Sequence, residues 1–88
     1  MVLLEVCANS TESAVAAQEG GAARVELCDN LHEGGTTPSA GQILFARNLL
    51  HIKLYVLIRP RGGDFLYTDL EFEIMQADIR HCIEAGCD

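Results

Sequence analysis

Apolar residues in this chain fall into short runs divided by polar, glycine and proline segments. Residues 2–8 form an apolar stretch stopped by Asn9-Ser10-Thr11, which predicts a strand. Ser10 or Thr11 can cap a helix running through Gln18, with Ala14, Val15 and Ala17 on its apolar side. Gly20-Gly21 then supplies a left-handed stop. Residues 24–28 predict a second strand, followed by a polar loop over 29–36 that contains Glu33-Gly34-Gly35. Thr37 before Pro38 has the form of an N-cap with proline at the first helical position. The helix after it should carry Ile43, Leu44, Ala46, Leu49 and Leu50. Residues 52–59 predict the third strand, closed by Pro60, and the glycine-rich loop Arg61-Gly62-Gly63-Asp64 leads to Thr68. Thr68 and Glu71 have capping-box spacing for a helix reaching about residue 85. Its apolar stripe is Phe72, Met75, Ile79, Cys82 and Ile83, and Gly86 is its stop. The order β-α-β-α-β-α with short connections is that of a parallel α/β sheet.

Alternate residues of a strand face opposite sides of the sheet, and here the two sides differ. Val2, Leu4 and Val6, then Val25 and Leu27, then Ile52, Leu54, Val56 and Ile58 make one purely aliphatic face, suited to packing under helices. The other face carries Glu5, Cys7, Arg24, Glu26, Cys28 and Arg59. A doubly wound sheet is covered by helices on both faces and needs both apolar. Charges near the carboxyl ends of successive parallel strands fit instead a barrel interior opening onto a mouth. A (β/α)₈ TIM barrel takes roughly 250 residues, so this chain of 88 corresponds to about 2.8 of its units. The expectation is therefore an α/β chain forming the first three βα units of an incomplete barrel. Residues 1–88 would be the amino-terminal fragment of a single TIM-barrel domain.

Composition narrows the function. With 49% apolar residues the chain is not disordered, and a net charge of −7 argues against a nucleic-acid phosphate backbone or an anionic membrane surface as its partner, without forbidding a small anion in a locally basic pocket. No apolar run approaches the length of a membrane span, and residues 1–5 lack the basic start of a signal peptide. The expected location is the cytoplasm, where Cys7, Cys28, Cys82 and Cys87 remain free thiols or metal ligands rather than disulfides.

Glu-x-Cys occurs twice, at Glu5-Val6-Cys7 and Glu26-Leu27-Cys28, and each copy puts a carboxylate and a thiol on one strand face. Two thiolates from adjacent strands suit a soft ion such as Cu(I) or Zn(II), and packed interior cysteines are the alternative. Glu5 and Glu26 can provide an acid and a base, or merely neutralise Arg24 or Arg59. Arg59 and Arg61 are placed to grip a phosphate or carboxylate, with Asp64 positioning them or accepting a proton. No Gly-Lys-Ser/Thr follows this loop, so no nucleotide cofactor is implied. His32, His51 and His81 read as surface or structural residues, and Cys82 and Cys87 as packing residues.

Four segments in order resemble the CutC family, named for copper homeostasis. They are Leu4-Glu5-Val6-Cys7, Gly21-Ala22-Ala23-Arg24-Val25-Glu26-Leu27-Cys28, Glu33-Gly34-Gly35-Thr36-Thr37-Pro38-Ser39 and Ile58-Arg59-Pro60-Arg61-Gly62-Gly63-Asp64-Phe65. The resemblance implies a cytosolic (β/α)₈ barrel that forms homo-oligomers. It also implies that Cys7 and Cys28 stand where copper ligands have been proposed in animal members. Glu5, Glu26, Arg59, Arg61 and Asp64 match polar mouth positions. Two functions remain open: copper binding through the thiolates, or an enzyme acting on a small anionic metabolite. The chain stops at Gly86-Cys87-Asp88, before the family's later strands, so any site in it is expected to be incomplete.

Overall fold

A computed structural model describes residues 2–88. Three parallel strands, β1 (Glu5–Ala8), β2 (Arg24–Leu27) and β3 (Lys53–Val56), pair in the order β1-β2-β3. They alternate with three helices, α1 (Thr11–Glu19), α2 (Ala40–Leu49) and α3 (Asp69–Ala85). The parallel α/β arrangement is the one the hydrophobic pattern predicts.

The strands are shorter than their apolar runs. At the sheet edge the register with β2 begins at Glu5, although Leu4 O already accepts from Ala23 and Arg24 N–H, and Val2, Leu3 and Leu4 are exposed instead of helix-covered. Beyond the formal strand ends the ladder continues through single bonds, from Cys28 N–H to Ala8 O and from Leu57 N–H to Leu27 O. The aliphatic face behaves as expected from Val25 onward. Val25, Leu27 and Leu54 are fully buried with Ala14, Ile43 and Ala46 from α1 and α2, and Ile52, Val56 and Ile58 pack around them. Each such leucine contributes about 1.5–3 kcal/mol by leaving water. On α2, by contrast, Leu44 and Leu49 are exposed, so its core stripe reduces to Ile43 and Ala46, with Leu50 behind them.

Helix ends follow local chemistry, with one displacement. Ser10 caps α1 by accepting from Ser13 N–H, and the left-handed residue after it is Gly21 (φ +100°), since Gly20 is still right-handed. Ser39, not Thr37, caps α2 by accepting from Gln42 N–H. Thr37 is engaged elsewhere: its N–H donates to Arg59 O, and its hydroxyl accepts from Arg59 N–H at 2.8 Å. The Thr68–Glu71 capping box opens α3 and left-handed Gly86 closes it, both as the spacing predicts.

The α3 stripe needs correction. Only Cys82 is buried, Met75 is half-buried, and Phe72, Ile79 and Ile83 face outward. The reason is placement: α3 packs against α2, while Ile79 and Ile83 border a hollow of about 250 Å³ shared with Tyr55, Val56 and Ile58. Cys82 belongs to the core and Cys87 packs against it, as expected of packing residues.

Candidate functional site

The strand register assembles the first group of site residues. Cys7 lies opposite Glu26 and Glu5 lies opposite Arg24, which puts Glu5, Cys7, Arg24 and Glu26 on the sheet face away from the helices. Cys28, just past the end of β2, turns its thiol back towards Cys7, and the two sulfurs stand 3.5 Å apart. Cys7 Sγ is also 3.9 Å from Glu26 Oε1, so two thiols and one carboxylate share this spot. Their environments differ. Cys7 is exposed, whereas Cys28 is buried and also approaches Ala8 O at 3.5 Å. Burial, then the hydrogen bond and negative charge of Cys7, then Glu26 and Asp29, push the Cys28 thiol up to about 12. The Cys28 thiol is therefore uncharged at neutral pH.

Glu5 does not join Glu26. Its carboxylate forms an ion pair with Arg24 Nε at 3.0 Å, out of hydrogen-bond alignment, and Arg24 lies over the Tyr55 ring. The pair is the neutralising arrangement expected for one of the two glutamates, while Glu26 stays with the thiols.

The two arginines are separated in role. Arg61 is held on every nitrogen. Its Nε and Nη2 donate to the Glu71 carboxylate, Nη2 also to Asp64 Oδ1 and Leu66 O, and Nη1 to Gly62 O and Asp64 O. These bonds tie the loop over 61–66 to the first turn of α3. The Thr68 backbone N–H, followed by Arg61, holds the Glu71 carboxylate below the usual range. Asp64 accepts from Arg61 and from Leu66 N–H, so it shapes the same loop.

Arg59 instead reaches back across the sheet end. Its Nη1 donates to Glu33 O and Gly35 O, and its Nη2 to Gly63 O, fastening the loop over 29–36 to the loop over 60–63. The first loop makes one 3₁₀ turn, Leu31–Glu33, and closes through an Asp29–Thr36 backbone pair. Gly35 (φ +97°) lies so close that an added Cβ would be 2.7 Å from Leu57 and 3.6 Å from Cys28 Cβ. The Arg59 clasp therefore holds this loop close to Leu57 and to the side chain of Cys28.

Thr37, Glu71 and Phe65 escaped the sequence reading as members of this region. Thr37 had the signature of a cap, and Glu71 was recognised only as half of a capping box. Phe65, whose ring stands 5.0 Å from Arg59 Cζ, enters only as the last residue of a family segment, with no role given to it. Among the described residues no group of three or more His, Cys, Asp and Glu side chains is arranged to hold a metal ion, and no helix is long and apolar enough to cross a membrane.

Residues 2–88 match the CutC family. The chain belongs to that family. A CutC family protein of Chromobacterium violaceum is 60% identical over 86 residues, covering 98% of this chain and 35% of the relative. The human copper homeostasis protein cutC homolog is 56% identical over 86 residues, covering 98% of this chain and 32% of that protein. The chain thus spans about a third of the length of the curated relatives it matches. A crystal structure of a CutC copper homeostasis protein from Streptococcus agalactiae superposes with a TM-score of 0.93 at 47% identity, over all of this chain and 43% of that one. The α/β fold described above is thus that of a CutC protein, and the thiol pair and the arginine clasp lie at the carboxyl end of its sheet.

Proposed function

We propose that this chain supplies the first three βα units of a (β/α)₈ CutC barrel, and that Cys7 and Cys28 bind Cu(I) at its mouth. Several features support the barrel. The three strands are parallel and sequential, helices cover one face, and the other face carries Glu5, Cys7, Arg24 and Glu26 at the register positions of an interior. The chain's share of its relatives' length agrees with it.

The single observation that carries the copper reading is the 3.5 Å separation of the Cys7 and Cys28 sulfurs. Two sulfurs that close would both reach a single soft cation. Soft thiolates select Cu(I) over hard cations, and two cysteines alone do not complete a structural zinc site. The chain's part in the chemistry is acid–base: Cys28 surrenders a proton held by burial, and Glu26 adds negative charge beside the incoming cation. In the cytosol the thiols stay reduced and the metal arrives in its cuprous state.

Titration of the full-length protein with Cu(I) under reducing conditions, against a chromophoric competitor, tests the assignment. One equivalent should bind to the wild type and none with comparable affinity to the Cys7→Ser/Cys28→Ser double variant. Stoichiometric binding that survives in the double variant overturns it.

A further inference from the structure

Arg59 is a buried cation that the described residues do not neutralise. The residue is only 9% exposed, yet its three acceptors, Glu33 O, Gly35 O and Gly63 O, are all neutral carbonyls at 2.7–3.0 Å. Among the described residues no carboxylate comes within ion-pair distance of its guanidinium, while Arg61 in the next loop holds both Glu71 and Asp64. A guanidinium cannot shed its proton, so its burial is costly without a counter-charge. The hydrogen-bond inventory is incomplete in the same way. Of five donors three are engaged, and Nε, itself buried, has no partner. The unengaged donors are the Nε–H and one Nη2–H, on two nitrogens of the same guanidinium carbon, and both are free to donate to the oxygens of a carboxylate or phosphate.

We infer that Arg59 anchors a small oxyanion, the carboxylate or phosphate group of a small molecule, and that Phe65 covers this site when it is empty. The Phe65 ring lies over the guanidinium, 5.0 Å from Cζ, but is 72% exposed, so water already surrounds most of it. It rides on a loop entered through Gly63 (φ +89°), and Arg61 secures the backbone on both sides of Phe65, at Asp64 and at Leu66, leaving the side chain free to turn. Rotation of the Phe65 side chain alone can therefore take the ring off Arg59 without breaking the Arg61 bonds, which uncovers the guanidinium so that an oxyanion can approach its open donors. The carbonyl clasp remains intact beneath it, because it uses Nη1 and the other Nη2–H. This site is separate from the thiol pair and does not rest on the copper reading, although Gly35 touches both.

The test is an NMR titration of the full-length ¹⁵N-labelled protein at constant ionic strength, following arginine Nε–H resonances assigned through bonds. Inorganic phosphate and malonate are added in separate arms, distinguishing a phosphate from a carboxylate ligand, with chloride as the control. The Arg59 Nε–H should shift saturably with at least one oxyanion while Arg61 stays in place. In Phe65→Ala, removal of the competing ring should tighten binding about two- to fivefold, the equivalent of an exposed cation–π contact. An Arg59 resonance that fails to saturate with either oxyanion, or that moves in step with Arg61 or with chloride, overturns the inference. So does an Nε–H already bonded to a carboxylate elsewhere in the full-length chain.

Discussion

Gly35→Ala is the substitution whose cost the structure specifies most closely. Two effects add. An alanine forced to the φ of +97° that Gly35 adopts loses roughly 1–2 kcal/mol, because its Cβ crowds the following carbonyl. The new Cβ would also sit 2.7 Å from Leu57 Cδ2, closer than real Cβ contacts come, and 3.6 Å from Cys28 Cβ. Overpacking of this kind adds about 1–3 kcal/mol. Gly21→Ala separates the two effects, since Gly21 has φ +100° but nothing within 4 Å of the added Cβ. Equilibrium urea denaturation of the full-length protein should therefore show Gly21→Ala losing roughly 1–2 kcal/mol and Gly35→Ala about 1–3 kcal/mol more, at an unchanged m-value. The excess should be accompanied by faster reaction of Cys28 with a thiol reagent, because Leu57 and the loop must move apart to admit the methyl group. Equal losses in the two variants, or a Cys28 no more reactive than in the wild type, would refute the close packing of Gly35 on Leu57 and the buried thiol.

Cu(I) affinity should rise with pH between 6 and 9, by about tenfold per unit for the proton that Cys28 releases. Its free thiol stays protonated up to about 12 and its bound form is a thiolate, so a flat profile in a competitor titration would contradict the assignment of Cys28 as a ligand. Thr68→Ala removes the side-chain half of the α3 capping box and should cost about 1 kcal/mol, with hydrogen-exchange protection lost first in the opening turn. Leu54→Ala, fully buried against α2, should cost about 2–5 kcal/mol, whereas Leu66→Ala, largely in water, should change stability by less than about 0.5 kcal/mol in the same denaturation assay.

The parts of the fold legible in the sequence are those that local chemistry decides. Thr68 and Glu71 announce α3 because both partners of the capping box lie within one turn. Strand parity places Cys7 and Glu26 on one face because side chains alternate whatever the partner strand does. What the sequence hides depends on neighbours far along the chain. Thr37 and Ser39 are both competent caps in isolation, and the arrival of Arg59, 22 positions later, engages Thr37 elsewhere. Helical spacing marks Phe72, Ile79 and Ile83 as an apolar stripe but cannot say what packs on it. The arginines show the same limit. Both stand in one short motif and read as a single anion grip, yet Glu71 claims Arg61 through a contact ten residues away while Arg59 meets only carbonyls.

That division links the two candidate sites. For Glu33 O and Gly35 O both to face Nη1 of Arg59, the intervening backbone must turn twice, and Gly34 and Gly35 do so at φ +86° and +97°. An added Cβ on Gly34 would lie 3.1 Å from Arg59 Nη1, and one on Gly35 would strike Leu57 and reach Cys28. The glycine pair therefore lets a guanidinium and a thiol be packed against opposite sides of one loop. The Cys28 proton is hard to remove chiefly because that thiol is buried, and part of the burial is the loop that Arg59 holds down. Whatever loosens the carbonyl clasp must then hydrate Cys28 and ease its ionisation, while an oxyanion that occupies only the free donors leaves the clasp and the thiol as they are. The thiol pair and the arginine are thus distinct in chemistry but share one mechanical support, the loop from Asp29 to Thr36.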